Sequence, residues 1–160
     1  MNVQLINPFI ESFKYVMGHI GFSETKIGQL SVKPKQLNCS GVMLIVGVVG
    51  DVKGNIVYVI DRENAKKIAS AMMMGMPVEE LDDMSKSSLS ELSNMLSANA
   101  ATGFSKSGLL IDISTPTFLE GEDIAFTMSS DKVLCVELLA DGMSVEVNLA
   151  FDKYLKLTGQ

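Results

Sequence analysis

The stretch SKSSLSELSNMLSANAATGFSKSG, running from Ser85 to Gly108, decides the fold. At about 100° per residue, Leu89, Leu92, Ser93, Leu96, Ala100, Gly103 and Phe104 fall within about 60° of a common direction, which predicts one long helix with that side buried. The opposite side collects Ser87, Glu91, Asn94, Ala98, Ala101 and Ser105. Glu91 and Asn94, three apart, are neighbours there and are its only far-reaching side chains. A solvated helix face ordinarily carries Lys, Glu, Gln and Arg, which stay hydrated and favour helix. A strip of Ser and Ala around one carboxylate and one carboxamide instead lets another protein come close while two polar groups enter it. Glu-x-x-Asn is also an ordinary pair, and Ser or Ala on an outer face need have no task; the helix alone leaves both readings open.

The remainder of the chain narrows the choice. A length of 160 residues, 47% hydrophobic and 20% charged, predicts one domain spanning 1–160. A net charge of −6 with no Lys/Arg cluster argues against nucleic acid. The longest apolar run, Val42 to Gly50, is far short of the roughly 20 residues of a membrane span, and no basic region followed by an apolar stretch opens the chain. A cytoplasmic protein is expected. Cys39 and Cys135 sit in apolar, strand-like contexts and read as reduced structural thiols. The single histidine, His19, supplies neither a His-based metal site nor a Ser-His-Asp constellation.

An opening helix uses Leu5, Phe9, Phe13, Val16, Met17 and Ile20 as its stripe and stops at Gly21. It begins either at Asn7-Pro8 or near Asn2 with Pro8 in an early turn. Rough alternation from Ile27 to Val32 precedes Pro34. Leu37 to Gly50 reads as a central strand, Asp51 to Gly54 as a turn and Asn55 to Ile60 as the returning strand, making Val42 to Ile60 a hairpin. Asp61 is placed to cap a helix from Arg62 to Met74, and the long helix starts near Asp82 or Asp83. Strands follow at Leu109 to Ser114, Thr117 to Leu119, Ile124 to Met128, Val133 to Leu139 and Ser144 to Phe151, the last two joined at Asp141-Gly142. Residues after Lys153 have no evident partner. The sum is an α+β domain: about six strands in a largely antiparallel sheet, one face covered by three helices. A long strand such as Ser144 to Phe151, if at an edge, would be protected by pairing with a second copy in a homodimer.

Ser87-Ser88-Leu89-Ser90-Glu91-Leu92-Ser93-Asn94-Met95, with Asp112-Ile113-Ser114-Thr115-Pro116-Thr117 downstream, resembles the CheC/CheX/FliY family of chemotaxis phosphatases, and within it the CheX branch. Ser87, Glu91, Asn94 and Pro116 fill the places of the family motif. The likeness covers nearly the whole chain, including the opening helix, the hairpin around Asp51 to Tyr58, the Met-rich helix end and a single rather than duplicated motif. Leu96-Ser97-Ala98 stands where CheX-like sequences often have Thr-Ala-Gly. The resemblance implies a CheX-like fold and phosphatase activity toward the phosphoaspartate of a CheY-like response regulator. It also implies a cofactor-free chain whose Mg²⁺ comes with the regulator. The residue chemistry agrees: a regulator supplies Mg²⁺ and Lys around its phosphoryl group, so a helper need only place the attacking water. Asn94, a donor and acceptor that does not titrate, takes that role, and Glu91 pairs with the regulator's active-site Lys. Ser87, Ala98, Ala101 and Ser105 form the docking strip, with Ser87 and Pro116 shaping the surroundings. The alternative is a module of the same fold that binds a receiver domain or flagellar-switch component without hydrolysis.

Overall fold

A computed structural model describes residues 3–154. In chain order the elements are α1 (Val3–His19), β1 (Thr25–Lys33), β2 (Gln36–Gly50), β3 (Val52–Ile60), α2 (Arg62–Met72) and α3 (Asp83–Lys106). Then come β4 (Ile111–Ile113), β5 (Thr117–Thr127), β6 (Val133–Ala140) and β7 (Met143–Tyr154). Helices and strands thus segregate into the α+β arrangement that the sequence pattern predicts, with seven strands among the described residues rather than about six.

The sheet is antiparallel throughout, in the order β1-β6-β7-β3-β2. The free side of β2 carries two strands in succession: β5 along Gln36 to Ile45 and β4 along Val48 to Gly50. The β2–β3 hairpin has the expected extent, Val42 opposite Ile60. Its connection is tighter than a four-residue turn: Val52 already belongs to β3, pairing with Tyr154 of β7. That pairing also gives the chain beyond Lys153 a partner as far as Tyr154; residues 155–160 lie outside the described residues. Since β7 sits between β6 and β3, Ser144 to Phe151 is interior, and the expectation that it is an edge is corrected. Its side chains explain why, since Val145, Val147, Leu149, Ala150 and Phe151 are all buried, as befits a strand covered on both sides.

Alternation along the strands separates two apolar layers. Val42, Leu44, Val46 and Val48 join the main core beneath the helices, whereas Met43 belongs to a smaller cluster on the other face with Leu37, Val57, Met128, Val133 and Ala150. Helix α1 starts on the earlier of its two possible starts, and Pro8 lies inside it. Leu5, Ile6 and Phe9 are each 2% exposed, so burial of this first turn outweighs the bond that proline cannot donate. Helix α2 stops at Met72, two residues before the predicted Met74. Met74 has φ 59 and the next residue is Gly75, so the chain turns left-handed there and cannot continue the helix.

Candidate functional site

Helix α3 is capped by Asp82, whose Oδ1 accepts the Ser85 backbone N–H at 2.9 Å and the Ser85 hydroxyl at 2.7 Å. The Ser85 amide and hydroxyl hold the Asp82 carboxyl below the usual carboxylate range, and the charge of Lys86 adds to this. The inner face is anchored at three levels. The Ser12 hydroxyl of α1 donates to the Leu96 carbonyl at 2.6 Å, buried, and Phe9 meets Phe104 edge to face with centroids 5.9 Å apart. The third anchor comes from the sheet, where the Tyr58 hydroxyl is 2.8 Å from the Ser97 hydroxyl, both buried; burial pushes the Tyr58 phenol well up.

The buried residues of α3 are Ser85, Leu89, Leu92, Ser93, Leu96, Ser97, Ala100 and Phe104. Gly103, expected among them, is only half-buried. It marks the crossing with α1: a Cβ there would lie 3.2 Å from the Pro8 Cβ, so the missing side chain lets the helices approach.

With this face fixed, the opposite one is presented outward. Glu91 is exposed and Asn94 half-buried, and both line an open cleft of about 540 Å³. Among the described residues, no hydrogen bond or ion pair engages the side chain of either. The other wall is Thr115-Pro116, the link between β4 and β5. That link is tied to β2 through Ser114, whose backbone N–H donates to the Gly47 carbonyl at 2.9 Å while its hydroxyl accepts the Gly47 N–H at 2.8 Å. Pro116, read from the sequence as shaping the surroundings, is therefore a wall of the cleft itself. A larger concavity of about 620 Å³, bordered by Met73, Met76 and Met84, lies at the start of α3 and includes neither Glu91 nor Asn94.

The structure brings Ser87, Glu91, Asn94 and Pro116 together. Ala98, Ala101 and Ser105 continue along the helix beyond the cleft; Ala98 and Ser105 are exposed and Ala101 is half-buried. The cleft also takes in polar residues outside that strip, namely Asp83, Lys86 and Ser90. Lys86 lies about 80° around the helix from Asn94, outside the strip picked by periodicity. It enters the site because the Pro116 wall stands on that side, which no helical pattern reveals. Its ammonium lies 5.9 Å from the centroid of the Phe118 ring, within cation–π range.

Elsewhere, His19 is exposed and stacked beside Tyr15, with centroids 4.6 Å apart. Cys135 is buried and Cys39 half-buried; burial raises both thiols, in keeping with structural roles. Among the described residues, no group of three or more His, Cys, Asp or Glu side chains is placed to hold a metal, and no helix is long and apolar enough to cross a membrane.

Comparison with known proteins bears on this geometry. Residues 42–139 match the family described as Chemotaxis phosphatase CheX. The CheY-P phosphatase CheX of Thermotoga maritima is 29% identical over 124 residues, covering 78% of this chain and 80% of that protein. The solved CheX-CheY-BeF3-Mg²⁺ complex from Borrelia burgdorferi contains a chain of the same fold, 29% identical, with a TM-score of 0.76 and coverage of 91% and 96%. A CheC-like superfamily protein from Shewanella superposes with a TM-score of 0.83 at 24% identity, covering 95% and 99%.

Proposed function

The chain belongs to the CheX family of chemotaxis phosphatases, and from that premise we propose that it hydrolyses the phosphoaspartate of a CheY-like response regulator through Asn94 and Glu91. The observation that carries this reading is the pairing of these two side chains in one open cleft, neither of them used by the fold among the described residues. A polar group engaged in capping or packing is spoken for; these two project toward a partner. Asn94 sits between the walls, half-buried, where its amide meets a water lodged between α3 and the docked regulator. Its carbonyl oxygen accepts from that water and its NH₂ donates to a phosphoryl oxygen, aligning the attack. Water oxygen bonds to phosphorus as the bond to the aspartyl oxygen breaks. The carboxylate leaves with its electron pair, and the water's two protons go with the released phosphate, which passes one on to solvent. Mg²⁺ held by the regulator would supply charge neutralisation, as in other phosphoryl transfers. Glu91 pairs with the regulator's Lys and fixes the docking register.

The same reading carries the remaining expectations: a single domain over residues 1–160, a cytoplasmic location and a homodimer. The edge suited to self-association is β1, which pairs only with β6 among the described residues and exposes Ile27, Leu30 and Val32.

The decisive experiment mixes the purified protein with phosphorylated CheY-like receivers from the same cell and follows phosphate release. Acceleration that disappears in Asn94→Ala supports the assignment. Tight receiver binding without any acceleration would instead mark a non-catalytic module of this fold.

A further inference from the structure

Beside Glu91 and Asn94 the cleft holds a cationic group whose position answers an electrostatic difficulty in the reading above, on which this inference rests. The protein has a net charge of −6, and its cleft contains the carboxylates of Asp83 and Glu91. Its proposed partner presents a phosphoryl group of about −1.5 to −2 charge beside carboxylates that hold Mg²⁺. Acidic surfaces meeting over an acidic site repel one another, and one Glu91–Lys pair offsets only part of that.

Lys86 is the basic side chain of the cleft. Measured around α3 from Asn94, Glu91 lies about 60° to one side and Lys86 about 80° to the other, two turns nearer the helix start. Asn94 therefore stands between an anion and a cation. No carboxylate lies within ion-pair distance of Lys86 among the described residues, although its charge reaches Asp82 one turn earlier; its ammonium lies 5.9 Å from the centroid of the Phe118 ring. A ring face restrains a lysine without cancelling its charge, so the ammonium remains available to an incoming anion while its rotamers are already narrowed.

We propose that Lys86 is a positioning residue that receives an acidic group at the rim of the receiver's phosphorylation site, so that Lys86 and Glu91 fix the docked orientation across Asn94 by charges of opposite sign. Lys86 acts in association, and the chemical step remains with Asn94.

The test uses the full chain with a phosphorylated CheY-like receiver, comparing the parent with Lys86→Met, Lys86→Arg and Lys86→Glu for kcat, KM, Tm and salt dependence. Lys86→Met keeps the apolar stem. It should raise KM about tenfold with kcat within about twofold, and should lose much of the parent's sensitivity to salt between about 0.05 and 0.5 M. Lys86→Arg should restore parent behaviour, and Lys86→Glu should raise KM further and gain from added salt. A Lys86→Met variant with the parent's KM and salt dependence, or one losing kcat at constant KM, overturns the inference while leaving the phosphatase reading intact. A parent protein inert toward every phosphorylated receiver removes the reading and this inference with it.

Discussion

Replacing Asn94 by alanine separates a catalytic amide from a structural one, because the two roles demand opposite changes in stability. Asn94 is half-buried in mid-helix and its side chain has no hydrogen-bond partner among the described residues. Truncation therefore orphans no buried donor or acceptor, and the cleft is open enough for water to fill the space. What remains is helix propensity, favouring alanine by about 0.5 kcal/mol, or about 1–2 °C in Tm for a chain of this size. Activity should move the other way. Losing a group that orients the attacking water should cost on the order of 10²-fold in rate, about 2.7 kcal/mol of transition-state stabilisation. Glu91→Ala is the companion: it should weaken receiver binding as well as turnover, whereas Asn94→Ala should bind phosphorylated receiver almost normally and fail at hydrolysis. Melting curves, receiver affinity and single-turnover phosphate release on the three proteins read all of this. An Asn94→Ala protein that melts lower yet releases phosphate at the parent rate refutes the reasoning.

Three further outcomes test the scaffold. Tyr58→Phe and Ser97→Ala should each cost about 1–3 kcal/mol by leaving a buried hydroxyl unpaired, and the double variant should cost less than their sum, as denaturant titration of the four proteins would measure. Gly41→Ala should lose more than about 2 kcal/mol, visible as a lower Tm, since φ is +125° and a Cβ would fall 2.6 Å from the Ile60 carbonyl oxygen. Asp141 accepts the Glu24 and Ser23 amides, which, with the Ser23 hydroxyl, lower its pKa. A depressed folded pKa means that its stabilising share is complete above the unfolded value of about 3.9 and fades as pH falls through the lower folded one. Acid unfolding followed by circular dichroism should accordingly be less steep below about pH 4 in Asp141→Asn, which keeps the left-handed backbone at φ 48 but cannot titrate.

Periodicity made α3 and its two faces readable because a single helix carries its own register. Leu89, Leu92, Leu96 and Phe104 are buried as spaced, and Asp82 caps where an acid was expected. The β2–β3 and β6–β7 hairpins are readable for the same reason, being local, although the turn after Gly50 is tighter than the pattern of Asp51 to Gly54 suggests. Pairings of distant segments are not: nothing in the pattern of Thr25 to Lys33 names β6 as its partner. The sequence pattern splits β5 in two because Glu120, Gly121, Glu122 and Asp123 have the composition of a turn. In the fold they continue one edge strand, with Glu120 paired to Arg62 and the Glu122 carbonyl accepting from Ser40. Tertiary partners there override local preference. Helical spacing does not pick out Lys86 for a related reason: its place in the site depends on a wall contributed by residues about thirty positions later in the chain, and helical spacing describes only one side of a cleft.

Both β4 and β5 hang from the same side of β2, and the link between them is short: Ile113 sits opposite Val48 and Thr117 opposite Ile45. Ser114, Thr115 and Pro116 thus span two residues of β2, with Ser114 clasped to Gly47. The aperture is consequently gauged by a strand ladder and not by the wandering of a loop. Exchanging the exposed Thr115 side chain would retune what the opening admits while its width stays constant, so partner preference can drift at one position without disturbing Asn94. Inserting a single residue would do the reverse. It would either be thrown out as a wider bulge or slip β5 by one step, turning Phe118 away from Lys86 and exchanging the two faces of the strand. Substitution is the permissive route for change at this rim, and length is its fixed dimension.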